Sequence, residues 1–140
     1  MSVEMNKAVA REYIEQIWNQ HRLDQLEKYL SKDLVHHDAP GITDFASAKG
    51  FITMTINSVP DFKVDIQAEI AEGDLVVQRI VASGTPQGDF MGIPASGKQF
   101  SMVGISVFRI AGGKIAELWG VNDSLSMMQQ LGVIPAMPTG

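Results

Sequence analysis

The chain has 140 residues, is 45% hydrophobic and 19% charged, carries a net charge of −5 and contains no cysteine. That length sustains a core, and the missing Cys excludes disulfides, thiolate metal sites and a thiol nucleophile. An acidic balance with no run of Lys and Arg longer than two argues against nucleic acid as a partner, and no apolar run reaches the ~20 residues of a membrane-spanning helix.

In chain order, residues 5–30 read as helix. Ala8, Tyr13, Ile14, Ile17 and Trp18 make an apolar stripe at helical spacing. Asn19-Gln20-His21 reads as a break, followed by a short second helix with Leu23, Leu26, Tyr29 and Leu30. Leu34 to Asp38 is a short strand stopped by Ala39-Pro40-Gly41. A helix over 45–58 is expected next, capped by Thr43 or Asp44 and ended by Pro60.

The second half reads as strand. Phe62, Val64, Ile66, Ala68 and Ile70 alternate with polar residues. Glu72-Gly73-Asp74 is a turn, and Leu75 to Thr85 is a strand apolar on both faces. A loop from Pro86 to Lys98 holds Phe90, Met91 and Ile93. Gln99 to Ile110 and Lys114 to Val121 complete a meander. Residues 125–131 form a last helical turn capped by Asp123 or Ser124, and 135–140 a loose tail after one domain over 1–134. Helices first and meander second is α+β by segregation. A twisted antiparallel sheet under helices curls into a half-cone with a pocket at its open end.

Gly112-Gly113 suits a two-residue hairpin, since both residues tolerate positive φ. That turn pairs Ile110 with Ile115, Phe108 with Glu117 and Ser106 with Trp119. Side chains alternate along a strand, so Ser106, Phe108, Glu117, Trp119 and Asp123 are expected on one face, as an acidic rim over a Trp-floored cavity. His36 and His37 point to opposite faces, which leaves no metal site on that strand. Arg79, inside an apolar strand, needs a carboxylate partner or a cavity, with Asp65, Glu69 and Glu117 as candidates.

These pieces together resemble the nuclear transport factor 2-like superfamily over about residues 5–134, and within it the SnoaL-like polyketide cyclases. The carriers are Glu12-Tyr13; Val35-His36-His37-Asp38-Ala39-Pro40-Gly41; Ser83-Gly84-Thr85; Gly88-Asp89-Phe90-Met91-Gly92-Ile93-Pro94 with Gly97-Lys98; and Gly113 to Asp123. The resemblance implies a cone-shaped α+β barrel with helices on the concave face, often dimerised through the outer face of the sheet. It implies an acid/base Asp after the last strand's Trp, a position that Asp123 matches. Asp38 and Tyr13 resemble the base and the helix-one Tyr of the ketosteroid isomerases. Those isomerases place an Asp where this chain has Ser106, and the family commonly has a His where this chain has Pro86.

The expected function is a cofactor-independent, cyclase-like aldol closure on a hydrophobic carbonyl compound. Asp123, His37 and Asp38 are the catalytic candidates. Tyr13, Phe51, Met54, Arg79, Met91, Ser106, Phe108 and Trp119 are the substrate-binding ones. Each has a plainer reading: Asp123 as a helix cap, Asp38 as a turn former, His37 as an edge residue, the aromatics as core. Two alternatives stand beside it, an isomerase using Asp38 and Tyr13, and a non-catalytic small-molecule binder. No cofactor or metal is expected, a homodimer is, and the absence of a signal-peptide h-region in residues 1–11 points to the cytoplasm.

Overall fold

The computed structural model describes residues 2–135. The tail expected over 135–140 therefore falls, apart from Pro135, outside the described residues. The elements are α1 (Val3–Tyr13), continued by a π-helical turn (Ile14–Asn19), a 3-10 turn (Leu23–Gln25), α2 (Leu26–Tyr29), β1 (Leu30–His37), α3 (Phe45–Ser58), β2 (Lys63–Glu72), β3 (Leu75–Gly84), β4 (Phe100–Ala111), β5 (Lys114–Asn122) and α4 (Ser124–Gln130). One curved five-stranded sheet runs in the order β1-β5-β4-β3-β2. Strands β2 to β5 form an antiparallel meander, while β1 joins the β5 edge in parallel. The sheet is thus mixed, not wholly antiparallel as expected.

Local chemistry sets the helix ends. Ser2 accepts from the N–H of Met5 at 3.1 Å and starts α1. Asp44 accepts from the N–H of Ser47 at 2.9 Å, and the Ser47 hydroxyl accepts back from the N–H of Asp44 at 3.1 Å. This reciprocal capping box fixes the start of α3. The break is real: His21 takes a left-handed φ of 60°, and Asn19, the last residue of the π-helical turn, turns its side chain to the sheet. Its amide accepts from the N–H of Val64 at 2.7 Å and donates to the Val64 carbonyl at 3.0 Å, on the free edge of β2.

The core lies between the concave face and the helices. Ile17, Leu26, Leu30, Ile52, Val59, Val76, Phe100, Phe108, Ile115 and Met127 are almost wholly buried there. The other face is open. Val35, Ile70, Leu75, Val103, Ile105 and Val121 stand on it with 39–69% of their surface exposed. No described helix is long and apolar enough to cross a membrane.

Two bulges reset the expected register. In β2 the pairing slips between Ile66 and Ala68, so Ile66 pairs with Ile80 and Ala68 with Arg79. Val64 stays in the core, but Ile70 turns outward, 69% exposed, and Glu69 turns inward beside Gln78. In β5 the extra residue is Ala116. Ile110 still pairs with Ile115, but Arg109 pairs with Glu117, Phe108 with Leu118, Val107 with Trp119 and Ser106 with Gly120. The physical reason is burial. Without a bulge, Ile115 would carry Glu117 onto the core face, where an unpaired carboxylate is costly; with it, Leu118 goes in and Glu117 comes out.

Candidate functional site

The bulge at Ala116 divides the expected site between the two faces. Phe108 and Ser106 lie on the concave side; Glu117 and Trp119 lie on the convex side. Trp119 floors no cavity. It stacks on His37, with ring centroids 4.9 Å apart and planes 11° from parallel. The Nε2–H of His37 donates to Glu117 Oε2 at 2.7 Å, and the Arg109 Nε–H donates to Glu117 Oε1 at 2.9 Å. Arg109 first, and His37 after it, hold the Glu117 carboxyl below its usual range. His37 is therefore part of a convex-side ion cluster. Arg79 is on the same convex face and exposed. Two of its expected partners are engaged elsewhere, Glu69 by Arg11 at 3.2 Å and Glu117 by Arg109.

Much of the concave face is filled by packed side chains. Phe108 meets Tyr13 edge to face at 6.0 Å, and Phe51 and Phe62 flank Trp18 at 6.3 and 5.2 Å. Met54 packs against the same core from α3. The π-helical turn brings Trp18 round to Tyr13, five residues back, and the indole N–H donates to the Tyr13 hydroxyl at 3.1 Å. Burial pushes the Tyr13 phenol up to about 12, with that hydrogen bond opposing. Tyr13 therefore stays neutral, and its own proton remains free to donate. Surface clefts lie at the other end of the sheet, one among Ser2, Asn6, Gly73, Asp74 and Gly112.

What stays partly open on the concave side is a strip across β1, β5 and β4, in which His36, Ser106 and Asn122 are the polar members beside Gly120 and Met102. His36 is cross-strand from Leu118, on the core side. Its Nδ1 lies 3.1 Å from the His37 carbonyl. A carbonyl only accepts, so Nδ1 carries the hydrogen and Nε2 keeps its lone pair. Burial holds the His36 imidazole below its usual value, and so neutral near pH 7. Any side chain at Gly104 would collide with the Asn122 amide, which therefore lies over that glycine on the concave side. Next to Ser106 in the row, Gln78 is wholly buried. Its Nε2 donates to Glu69 Oε2 at 2.8 Å, which fixes the amide's orientation and leaves Oε1 without a donor.

The two candidate aspartates stand at the rim. β1 and β5 run parallel with His37 level with Trp119, so Asp38 and Asp123 emerge at the same end. Asp123 is three residues further along, about 10 Å. Asp38 is exposed, with a left-handed φ of 62°. Asp123 is exposed and caps α4, its Oδ1 accepting from the N–H of Ser126 at 3.0 Å. Met91 sits at the tip of a tight turn between bridged Phe90 and Ile93, with φ 52° and half its surface exposed. Sequence reasoning passed over His36, Gln78 and Asn122. For His36 the signal was present in the alternation itself, which sends His36 and His37 to opposite faces.

No curated protein matches the chain in sequence. Crystal structures do. AclR from Streptomyces galilaeus, provisionally described as a hydroxylase, is 28% identical over 99% of this chain and 87% of its own, with a TM-score of 0.88. TsrD from Streptomyces laurentii is 25% identical over 96% and 99%, at 0.87. IdmH from Streptomyces antibioticus, provisionally described as a polyketide cyclase, is 31% identical over 91% and 98%, at 0.80. Similarity to these three, and the match of residues 8–131 to the model of the SnoaL-like polyketide cyclases, show that the chain belongs to that family.

Proposed function

We propose that the chain is a cofactor-independent enzyme of the cyclase type, acting on a small apolar compound with activated carbonyls. The supporting observation is the group of His36, Ser106 and Asn122 left partly open on an otherwise largely apolar concave face. A carbon between two carbonyls loses a proton to an acid/base residue. The pair of the broken C–H bond becomes an enolate, the enolate carbon bonds to a second carbonyl carbon of the same molecule, and the resulting alkoxide takes up a proton. The product is an isomer of the substrate, so no redox partner is consumed. Asp123 is the acid/base residue to which the family points. The test is ring closure of a linear 1,3,7-triketone, whose C2 between two carbonyls reaches the C7 carbonyl in a six-membered ring, followed by absorbance. Asp123→Asn keeps the α4 cap, since Asn caps as well as Asp, and is expected to lower turnover about 10²-fold or more. Full activity in that variant removes Asp123 from the chemistry. An isomerase using Asp38 would instead lose its activity in Asp38→Asn.

A second reading, a non-catalytic binder on the same fold, is favoured by the engagement of the Asp123 carboxylate as the cap of α4. It predicts stoichiometric ligand binding with no turnover. We also propose that two copies pair through the convex face, where Val35, Val103, Ile105 and Val121 form an exposed apolar surface.

A further inference from the structure

We propose that His36, and not its neighbour His37, takes the substrate's carbon-bound proton, through an Nε2 whose lone pair is kept available by the bond from Nδ1–H to the His37 carbonyl. The inference rests on the cyclase-type reading and names the group that carries its first step.

Four observations support it. His36 is cross-strand from buried Leu118, so its ring belongs to the concave side, while His37 is tied to Glu117 and Trp119 on the convex side. The two rings are held as opposite tautomers. The Glu117 carboxylate requires a hydrogen on Nε2 of His37, and the His37 carbonyl requires one on Nδ1 of His36. The strand end is pinned, since the N–H of His36 donates to the Thr43 carbonyl at 2.9 Å. Finally, the sheet leaves room beside it. Gly120 carries no side chain, and Ser106 Oγ lies 3.9 Å from where a Cβ there would stand. β1 and β4 are two strand spacings apart, about 10 Å, which is the width of a small ring with its carbonyls.

In the step itself, the C–H bond between two carbonyls breaks and its electron pair becomes the enolate. An N–H bond forms at Nε2, giving an imidazolium, and the Ser106 hydroxyl donates to the enolate oxygen. The imidazolium then passes its proton, through solvent at the open rim, to the Asp123 carboxylate, and Asp123 hands it on to the alkoxide. Protons in and out therefore balance. Burial opposes the imidazolium and keeps the resting base neutral; the bond to the His37 carbonyl and the charge of Asp38, next in the chain, offset part of that.

The experiment has two arms. Long-range proton–nitrogen NMR on the whole protein reads the tautomer, with Nδ1 of His36 expected to be protonated and Nε2 bare. Deuterium exchange at the central carbon of benzoylacetone, in excess of the buffer rate, reads the proton abstraction. His36→Gln and His36→Asn are both expected to lose that excess about 10²-fold or more; the Asn variant keeps a donor for the His37 carbonyl and lacks only the base. The opposite tautomer overturns the inference, as does exchange that survives in either folded variant. In those cases the cyclase reading still stands on its triketone test. A wild-type protein that exchanges nothing also overturns the inference, and the reading falls with it only if triketone closure is absent too.

Discussion

The two faces of this sheet are built from similar residues and do different work. β3 is apolar on both sides, yet Val76, Ile80 and Ala82 are buried while Leu75, Val77 and Val81 keep part of their surface. What separates them is cover, since α1 and its π-helical extension lie over the concave side. Polar groups follow the same division. On the convex side Arg109, Glu117 and His37 satisfy one another within reach of solvent. On the concave side Tyr13, Gln78 and His36 each have one defined partner and one uncommitted donor or acceptor. A face that has settled its polar groups is suited to contact, and one that has not is suited to a ligand.

Mutation can break this contrast at either face. The largest effect is expected at Phe108, 1% exposed. Phe108→Ala removes a ring from the packed interior and is expected to cost about 3–5 kcal/mol in urea unfolding. A loss under ~1 kcal/mol would mean that the concave side is loosely filled. Next is Tyr13. Its folded-state pKa of about 12 lies above the ordinary 10.0, so the unfolded chain ionises first. Stability is then fully present below pH 10 and drains away as pH rises toward 12, by about 3 kcal/mol at ~1.4 per unit. Tyr13→Phe should abolish that alkaline slope, and an unchanged slope would place the titration elsewhere. The smallest effect on folding is expected at Ile105, 44% exposed on the convex face. Ile105→Glu should alter the stability of a single protomer by no more than about 0.5 kcal/mol. It should nonetheless convert a sedimenting dimer to a monomer, and an unchanged mass would remove this face from self-association.

Most of the fold was legible because its signals are local. Gly112-Gly113 carries positive φ of 59° and 78° in the hairpin expected there. Asp44 and Asp123 cap the helices at which their positions pointed. The site was less legible, because one residue of slippage exchanges every face beyond it. Nothing within Ile115-Ala116-Glu117 marks Ala116 as the extra residue. The marker is the charge of Glu117, which the core refuses, and that is visible only once Ile115 and Leu118 are known to be buried together. β2 shows the same problem: its clean alternation hides a bulge that exposes Ile70 and draws Glu69 toward Gln78 and Arg11.

The docking of Asn19 onto Val64 has a consequence beyond the protomer. β2 is an outermost strand, and its free N–H and C=O groups would otherwise offer a template to a strand from another molecule. The Asn19 amide occupies one donor and one acceptor there, in the manner of a peptide group one residue long. At Val64 the outermost strand is thus closed to sheet extension by a side chain that no later strand can continue from.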